Sequence, residues 1–232
     1  MSDPAAAPDL ALPHRTLDYL QAEIETIYGV SAPRVVPFLV CRAEARAAGA
    51  EPRAPEELLV LEETDGVAVG LFLDEDVMEA AGRADPDHRR PRLIRRPTLT
   101  SLACAAEGVS HFVYLVTRAA AGRPVSLLEL EVQAEVDKFA LLLLHLWRRR
   151  LRRTSRALRG RLFERITFRP ELDDAARERY VTANRLAGAY ARWLEGRFVA
   201  PSNIEGLLRE LRAIYRLGGV EKFAHLGSRS LH

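Results

Sequence analysis

Four residues in the middle of the chain combine the side chain types that bind metals or transfer protons. Glu107 and His111 stand four residues apart, and Glu131 and Glu135 repeat that spacing farther along. Residues four apart share one face of an α-helix. Two neighbouring helices would therefore gather three carboxylates and an imidazole, a set suited to a divalent metal or to acid–base catalysis.

The sequence around the second pair predicts that its carboxylates point inward. On a helical wheel, Glu131 and Glu135 fall on the leucine-rich face together with Lys138. A carboxylate without a partner is unfavourable there, because burial of a charge disfavours its ionised form. The opposite face is expected to point to water, and it carries Glu129, Gln133 and Asp137.

Three interpretations of this cluster remain open, and a structural ion network is the one that we favour. In that network Glu131 and Glu135 are neutralised by Lys138, Arg118 and His111, which the antiparallel helices bring to similar heights. Such networks perturb pKa values as readily as catalytic sites do.

The other two interpretations make the same cluster a metal site or an acid–base site. Glu107 and His111 depart from the Glu-x-x-His spacing of di-iron bundles, and no His-Glu-x-x-His motif is present. No nucleophile motif and no phosphate-binding loop accompany His111. We therefore expect no cofactor, with a divalent metal as the alternative.

A second candidate site is the arginine-rich segment from Arg148 to Arg161, which contains eight arginines. Its arginines could follow a phosphate backbone if a helix continues as far as Arg156. Aromatic residues do not alternate with them, and the chain is rich in arginine throughout, with 32 Arg and two Lys. The candidate nucleic-acid-binding residues are Arg148, Arg149, Arg152, Arg153 and Arg156.

The charge is segregated along the chain although the net charge is only +2. Between Glu51 and Asp87 twelve acidic residues accompany two arginines, a balance of −10. Between Leu142 and Arg169 ten arginines accompany one glutamate, a balance of +9. Such segments either pair with each other or dock a partner of opposite charge.

The elements that position these residues are mostly helices. The apolar spacing predicts helices over 16–28, 101–120, 126–147, 171–198 and 202–217. An extension of the third helix as far as 156 is left open, and a short extended piece over 162–168 precedes the fourth. Capping boxes are expected at Ser126 with Glu129 and at Ser202 with Glu205. Two β-prone runs, 58–63 and 67–74, flank an Asp-Gly turn and predict a hairpin, with 35–39 as a third strand.

The cysteines, the apolar runs and the N-terminus limit the classes of protein to which the chain can belong. Cys41 and Cys104 lack the spacing of a zinc ribbon or a disulfide framework. The longest apolar run, 139–144, is too short to span a bilayer, and the N-terminus lacks the pattern of a secretion signal. Residues 1–13 are expected to form a disordered tail, and the expected compartment is the cytoplasm.

The sequence therefore predicts an α+β protein that is predominantly α-helical, with one domain over 14–232 and a small antiparallel hairpin or sheet near 58–74. The absence of catalytic motifs favours a non-enzymatic interaction or accessory protein with an unknown protein partner. An enzyme using the Glu/His cluster and nucleic-acid binding through 148–161 are the alternatives.

Overall fold

The computed structural model describes residues 11–51, 53–63, 66–82, 96–150 and 154–229. Its fold is predominantly helical α+β, as predicted. The helices are α1 (Ala11–Tyr28), α2 (Arg42–Ala47), α3 (Glu75–Gly82), α4 (Arg96–Ala120), α5 (Leu127–Arg148), α6 (Ser155–Arg159), α7 (Asp174–Leu194), α8 (Ile204–Arg216) and α9 (Gly219–Arg229). The strands are β1 (Leu39–Val40), β2 (Glu56–Glu63) and β3 (Gly66–Leu73).

The chain forms two compact units. The first unit comprises the described residues within Met1–Leu20 and Arg34–Gly108. The second comprises those within Gln21–Pro33 and Val109–His232. The single domain expected over 14–232 stays a prediction. Of the expected tail, residues 1–10 lie outside the described residues, whereas 11–13 form the first turn of α1.

The first unit contains a three-stranded sheet in the order β1-β3-β2. The predicted hairpin is confirmed, because β2 and β3 pair antiparallel from Glu56 opposite Leu73 to Glu63 opposite Gly66. β1 adds to β3 in parallel, so the sheet is mixed rather than purely antiparallel. Gly70 permits this addition, since a Cβ there would stand 2.9 Å from a methyl group of Val40.

One apolar cluster of the first unit lies on one face of this sheet. Leu59 and Phe72 pack there with Ala45 and Ala50, which flank the end of α2. The hairpin extends beyond this cluster, since Val60, Leu61 and Val67 are exposed. Within the described residues, β3 is the only strand that pairs with β2, whose other edge remains open.

The second unit is built around α5, which is buried along most of its length. The later half of α4 runs antiparallel beside it, as predicted, since Ser110 meets Asp137 and Tyr114 meets Glu129. The third long helix, α7, packs on α5 and carries α9 on another side. Fully buried aliphatic side chains fill the spaces between the helices, among them Leu143, Leu194, Leu207 and Leu211.

One stretch of α4, Leu99–Ala120, is long and apolar enough to cross a membrane by length and composition alone. The protein itself buries 61% of it. Such burial is typical of a core helix of a folded protein.

The capping residues predicted from the sequence are correct at one helix end and wrong at another. Ser126 caps α5 by accepting a hydrogen bond from the Glu129 amide at 3.2 Å, as predicted. The cap of α8 is Asn203, which accepts from Gly206, so the predicted box at Ser202 and Glu205 is wrong. The expected extended piece is also wrong in its first part, since 160–164 is a π-helical segment continuous with α6.

Candidate functional site

The polar face of α5 is buried, so the expectation that it meets water is wrong. Glu129, Gln133 and Asp137 have exposed fractions of 2%, 1% and 1%. They lie one turn apart along the helix, and each meets polar groups from elements distant in the chain. These contacts form a buried polar cluster of the second unit, which we call the Lys222 cluster. Its members are Tyr28, Ser110, Tyr114, Arg118, Glu129, Gln133, Asp137 and Lys222.

Glu129 receives hydrogen bonds and positive charge from three sides. The Tyr114 hydroxyl donates to Oε1, and the Gly219 amide donates to Oε2 at 2.9 Å. Arg118 Nη2 lies 3.6 Å from Oε1. Gly219 is the first residue of α9, so the carboxylate occupies a helix N-terminus, where backbone amides favour an anion. The Glu129 carboxylate is therefore bound by Tyr114 and Gly219, so it does not accept from the Ser126 amide to complete the predicted capping box.

Asp137 accepts three side-chain hydrogen bonds. Ser110 Oγ donates to Oδ2 at 2.6 Å, while Gln133 Nε2, at 2.7 Å, and the Tyr28 hydroxyl donate to Oδ1. Burial raises the pKa of Asp137 to about 6, although these three donors act in the opposite direction. At pH 7 the carboxylate form therefore still predominates, with about a tenth of the group protonated.

Lys222 links the two carboxylates through neutral groups. Its ammonium donates to the Tyr114 hydroxyl at 2.6 Å and to Gln133 Oε1 at 2.7 Å, and it lies 4.1 Å from the centre of the Tyr114 ring. The side chain has no exposed surface. Burial lowers the pKa of Lys222 to about 7, although Glu129 and Asp137 favour the charged form. At neutral pH the amine therefore titrates inside the protein.

Three tyrosines enclose the cluster. Tyr28 stacks on Tyr215 with ring centres 4.0 Å apart, and Tyr114 meets Tyr215 edge-on at 5.1 Å. Burial raises the pKa of all three phenols above the ordinary value, so they remain neutral hydrogen-bond donors. The surroundings of Lys222 are consequently aromatic and closed to solvent.

The arrangement holds α9 on the helices below it. Two cations, Arg118 and Lys222, balance two carboxylates, Glu129 and Asp137, and the pKa values near 6 and 7 would suit proton transfer. All four groups are at least nine-tenths buried, however, which closes them to a substrate in this conformation. The chemistry that the geometry supports is a compensated structural network.

The candidates predicted from the sequence are only partly brought together. His111 Nε2 lies 3.6 Å from Glu131 Oε2, and the side chains of both residues are buried. Arg179 approaches the other oxygen of Glu131, also at 3.6 Å. Glu135 pairs instead with Lys138 at 2.9 Å.

The basic side chains beside Glu131 and Glu135 thus differ from the expected set in one residue. Arg118 was expected beside Glu131 or Glu135, but it lies beside Glu129, because the α4–α5 register brings it to the first turn of α5. In its place Arg179, from α7, approaches Glu131. The sequence alone did not show which residue of this third helix approaches Glu131.

A metal would find an incomplete set of ligands in the second unit. His111 and Glu131 offer one ligand atom each. Glu107 lies one turn before His111 on helix α4, in the part that belongs to the first unit. Glu135 is held by Lys138 on another part of α5.

The arginine-rich segment does not form the continuous basic helix that was expected. α5 ends at Arg148, and Arg150 adopts a left-handed conformation with φ of 58°. Arg148 pairs with Glu23 at 2.6 Å. Arg156 is exposed on the short helix α6. Arg149 is the C-cap of α5, while Arg152 and Arg153 lie outside the described residues.

Sequence reasoning missed Lys222 although one signal pointed to it. Lysine is rare in this chain, since 32 of the 34 basic residues are arginine. A lysine therefore indicates a position whose surroundings favour an ammonium over a guanidinium. The compact ammonium of Lys222 fits between Tyr114 and Gln133, where a planar guanidinium would need more space and more acceptors.

Comparison of the chain with models of protein families, with curated proteins and with solved structures finds no match. Any functional conclusion therefore comes from the geometry of this chain.

Proposed function

We propose that this is a non-enzymatic interaction protein of the cell interior that docks an extended segment of another protein along β2. The observation that carries the proposal is the open edge of this strand. β2 has eight residues, a length of about 27 Å. In the described part of the chain no strand covers its outer edge.

The open edge offers both backbone groups and apolar surface. Roughly half of the backbone N–H and C=O groups of an edge strand point away from its neighbour, so they are available to another strand. Val60 and Leu61 are 48% and 45% exposed, and Val67 is 59% exposed. Since adjacent residues of a strand point to opposite faces, both faces of the hairpin end carry uncovered apolar side chains. This combination is typical of peptide docking by strand addition.

The Lys222 cluster supports a non-enzymatic role. Asp137 and Lys222 each lie within 2.7 Å of two neutral hydrogen-bonding groups and are closed to solvent. Buried networks of this kind make a fold specific and rigid. A closed network of this kind is consistent with a scaffold for a docking surface.

Selection of peptides from a random displayed library tests the proposal. Peptides that dock on β2 will protect its outward amides from hydrogen exchange and will fail to bind a Val60→Lys variant, because a charge on an edge strand opposes pairing. Val181→Lys is the matched control, since Val181 is 43% exposed on α7. A library that yields only peptides insensitive to Val60→Lys, or none with Kd below about 1 mM, contradicts the proposal.

A metal-dependent or acid–base activity is the second candidate, and the buried pair of His111 and Glu131 is the observation that favours it. Elemental analysis of the purified protein tests it. A transition metal present in equal molar amount and lost in His111→Ala would establish this candidate. Equal metal content in both proteins would refute a site at His111.

A further inference from the structure

We infer that the second unit binds the phosphate backbone of double-stranded nucleic acid through a basic face on α7 and the segment beside it. This inference goes beyond docking at β2 and concerns the other unit of the chain. The basic face is formed by residues 155–165 and 184–199, which together hold seven arginines against Glu164 and Glu195. Of the arginines predicted from the sequence to bind nucleic acid, Arg156 is the one that belongs to it.

Close packing brings the two stretches of the basic face together. A Cβ on Gly188 would stand 3.0 Å from Phe163, so the π-helical segment that carries Phe163 lies directly against α7. One turn after Gly188, Arg192 Nη2 lies 3.9 Å from Glu164 Oε1. Arg185 stands two turns before Arg192, so the two side chains project from nearly the same side of α7.

Both glutamates of the basic face are already paired with one buried arginine. Arg159 donates to Glu195 at 2.5 Å, and it also pairs with Glu164. The hydrogen bond from Arg159 contributes most to lowering the pKa of Glu164. The positive charges of Arg192 and Arg156 lower that pKa further, so both lie near the same carboxylate. One exposed acid is thus surrounded by three arginines.

The other arginines of the basic face are accessible. Arg156, Arg165 and Arg185 are exposed, and within the described residues no carboxylate lies within 4.0 Å of their guanidinium groups. The Arg192 side chain is 72% exposed, and its only carboxylate contact among the described residues is the one at 3.9 Å. An exposed ion pair of that length contributes little. Four guanidinium groups are therefore available to an anionic partner.

The side chain types of the basic face favour a nucleic acid duplex. All aromatic residues of the chain lie in the described residues, and none of their side chains is exposed. Protein interfaces are centred on apolar and aromatic anchors, and single strands are bound by stacking of their bases on exposed rings. A duplex needs only cations spread along its phosphates, and the arginine fork matches a phosphate group. Binding should therefore be independent of base sequence.

Fluorescence anisotropy of a short labelled DNA duplex of arbitrary sequence, titrated with the full chain, tests the inference. Each arginine that contacts a phosphate releases bound counterions, so the affinity falls steeply as salt is added. Four contacts predict that the Kd rises about a hundred-fold between roughly 50 and 200 mM salt. Binding that is insensitive to salt would overturn the inference.

Two double variants of equal charge locate the surface. Arg156→Gln with Arg185→Gln removes two of the four contacts, so the Kd should be higher and should rise only about ten-fold over the same salt range. Arg46→Gln with Arg209→Gln is the matched control, since both residues are exposed and lie outside the basic face. The control should keep the wild-type salt dependence.

Circular dichroism checks that both double variants are folded. If Arg156→Gln with Arg185→Gln is misfolded, the single variant Arg185→Gln carries the test, and its loss of salt dependence should be about half as large. An equal effect of the test and control variants would overturn the assignment to the basic face.

The remaining outcomes decide the class of partner. A Kd above about 1 mM for the duplex at low salt overturns the inference. Tighter binding of the single strand of the same sequence would overturn the preference for a duplex. Vesicles containing phosphatidylserine, or polyglutamate, that bind as tightly as the duplex at equal charge concentration would make the partner a membrane or an acidic protein. Docking at β2 is tested separately by Val60→Lys, so it stands or falls independently.

Discussion

Replacement of Lys222 by Met gives the sharpest test of how the second unit is stabilised. Lys222 is fully buried and contacts Tyr114 and Gln133. Methionine has a similar length but cannot be protonated. The variant therefore removes one buried titration from the folded state while it leaves an apolar side chain to fill the space.

The expected effect is a change in the pH dependence of the free energy of unfolding. The pKa of Lys222 is lowered from 10.5 to about 7 in the folded protein. Between these pH values the unfolded chain binds more protons than the folded one, so stability rises with pH. Equivalently, this stabilisation is lost as the pH falls from 10.5 towards the folded-state pKa of about 7. From pH 7 to pH 9 this single group contributes a gain of about 2 kcal/mol.

Urea unfolding at pH 7, 8 and 9 measures this gain. Wild type should gain about 2 kcal/mol more than Lys222→Met over that range, because every other titrating group is shared by the two proteins. Lys138→Met, which changes the only other lysine, should keep the wild-type slope. NMR of protein labelled with ¹³C-lysine gives an independent readout. The signal that is missing in Lys222→Met belongs to Lys222, and in wild type it should titrate near pH 7. Equal slopes in wild type and Lys222→Met would refute the assignment of a buried, titrating amine.

Three further predictions concern the groups around this lysine and one helix cap. Burial raises the pKa of Asp137 from 3.8 to about 6, so between these pH values the folded state binds more protons than the unfolded chain. The free energy of unfolding therefore falls by about 2 to 3 kcal/mol as the pH rises from 3.8 to 6. Urea unfolding between pH 4 and 7 should show this fall in wild type but not in Asp137→Asn, and a fall that persists would assign it to another group. In Gly218→Ala the new Cβ would stand 2.0 Å from Arg118 Nη2, which must then leave Glu129, at a loss of about 1 to 3 kcal/mol. Gly196→Ala, whose Cβ meets nothing within 4 Å, is the control, and an equal loss in both variants would contradict the clash. Asn203→Ala removes the cap of α8 and should lower the free energy of unfolding by about 1 kcal/mol, whereas no change would show that the Gly206 amide finds another acceptor.

The sequence by itself determined the elements whose signals are local. Gly29 ends α1 in a left-handed conformation, Ser126 begins α5, and the Asp-Gly turn with its flanking runs predicted the paired strands β2 and β3. In each case the deciding interaction joins residues a few positions apart or depends on one residue's backbone preference. The antiparallel pairing of α4 with α5 also followed from a short connection.

Only the tertiary structure decided which faces of α5 are buried and which acids are paired. A helical wheel finds the apolar face, but it cannot recognise a polar face that is buried against polar partners elsewhere in the chain. The partners of Asp137 and Gln133 include Tyr28, 109 and 105 residues away, and Lys222, 89 residues from Gln133. Burial of those acids is favourable only once these distant donors are assembled, because a carboxylate without them would be better solvated by water.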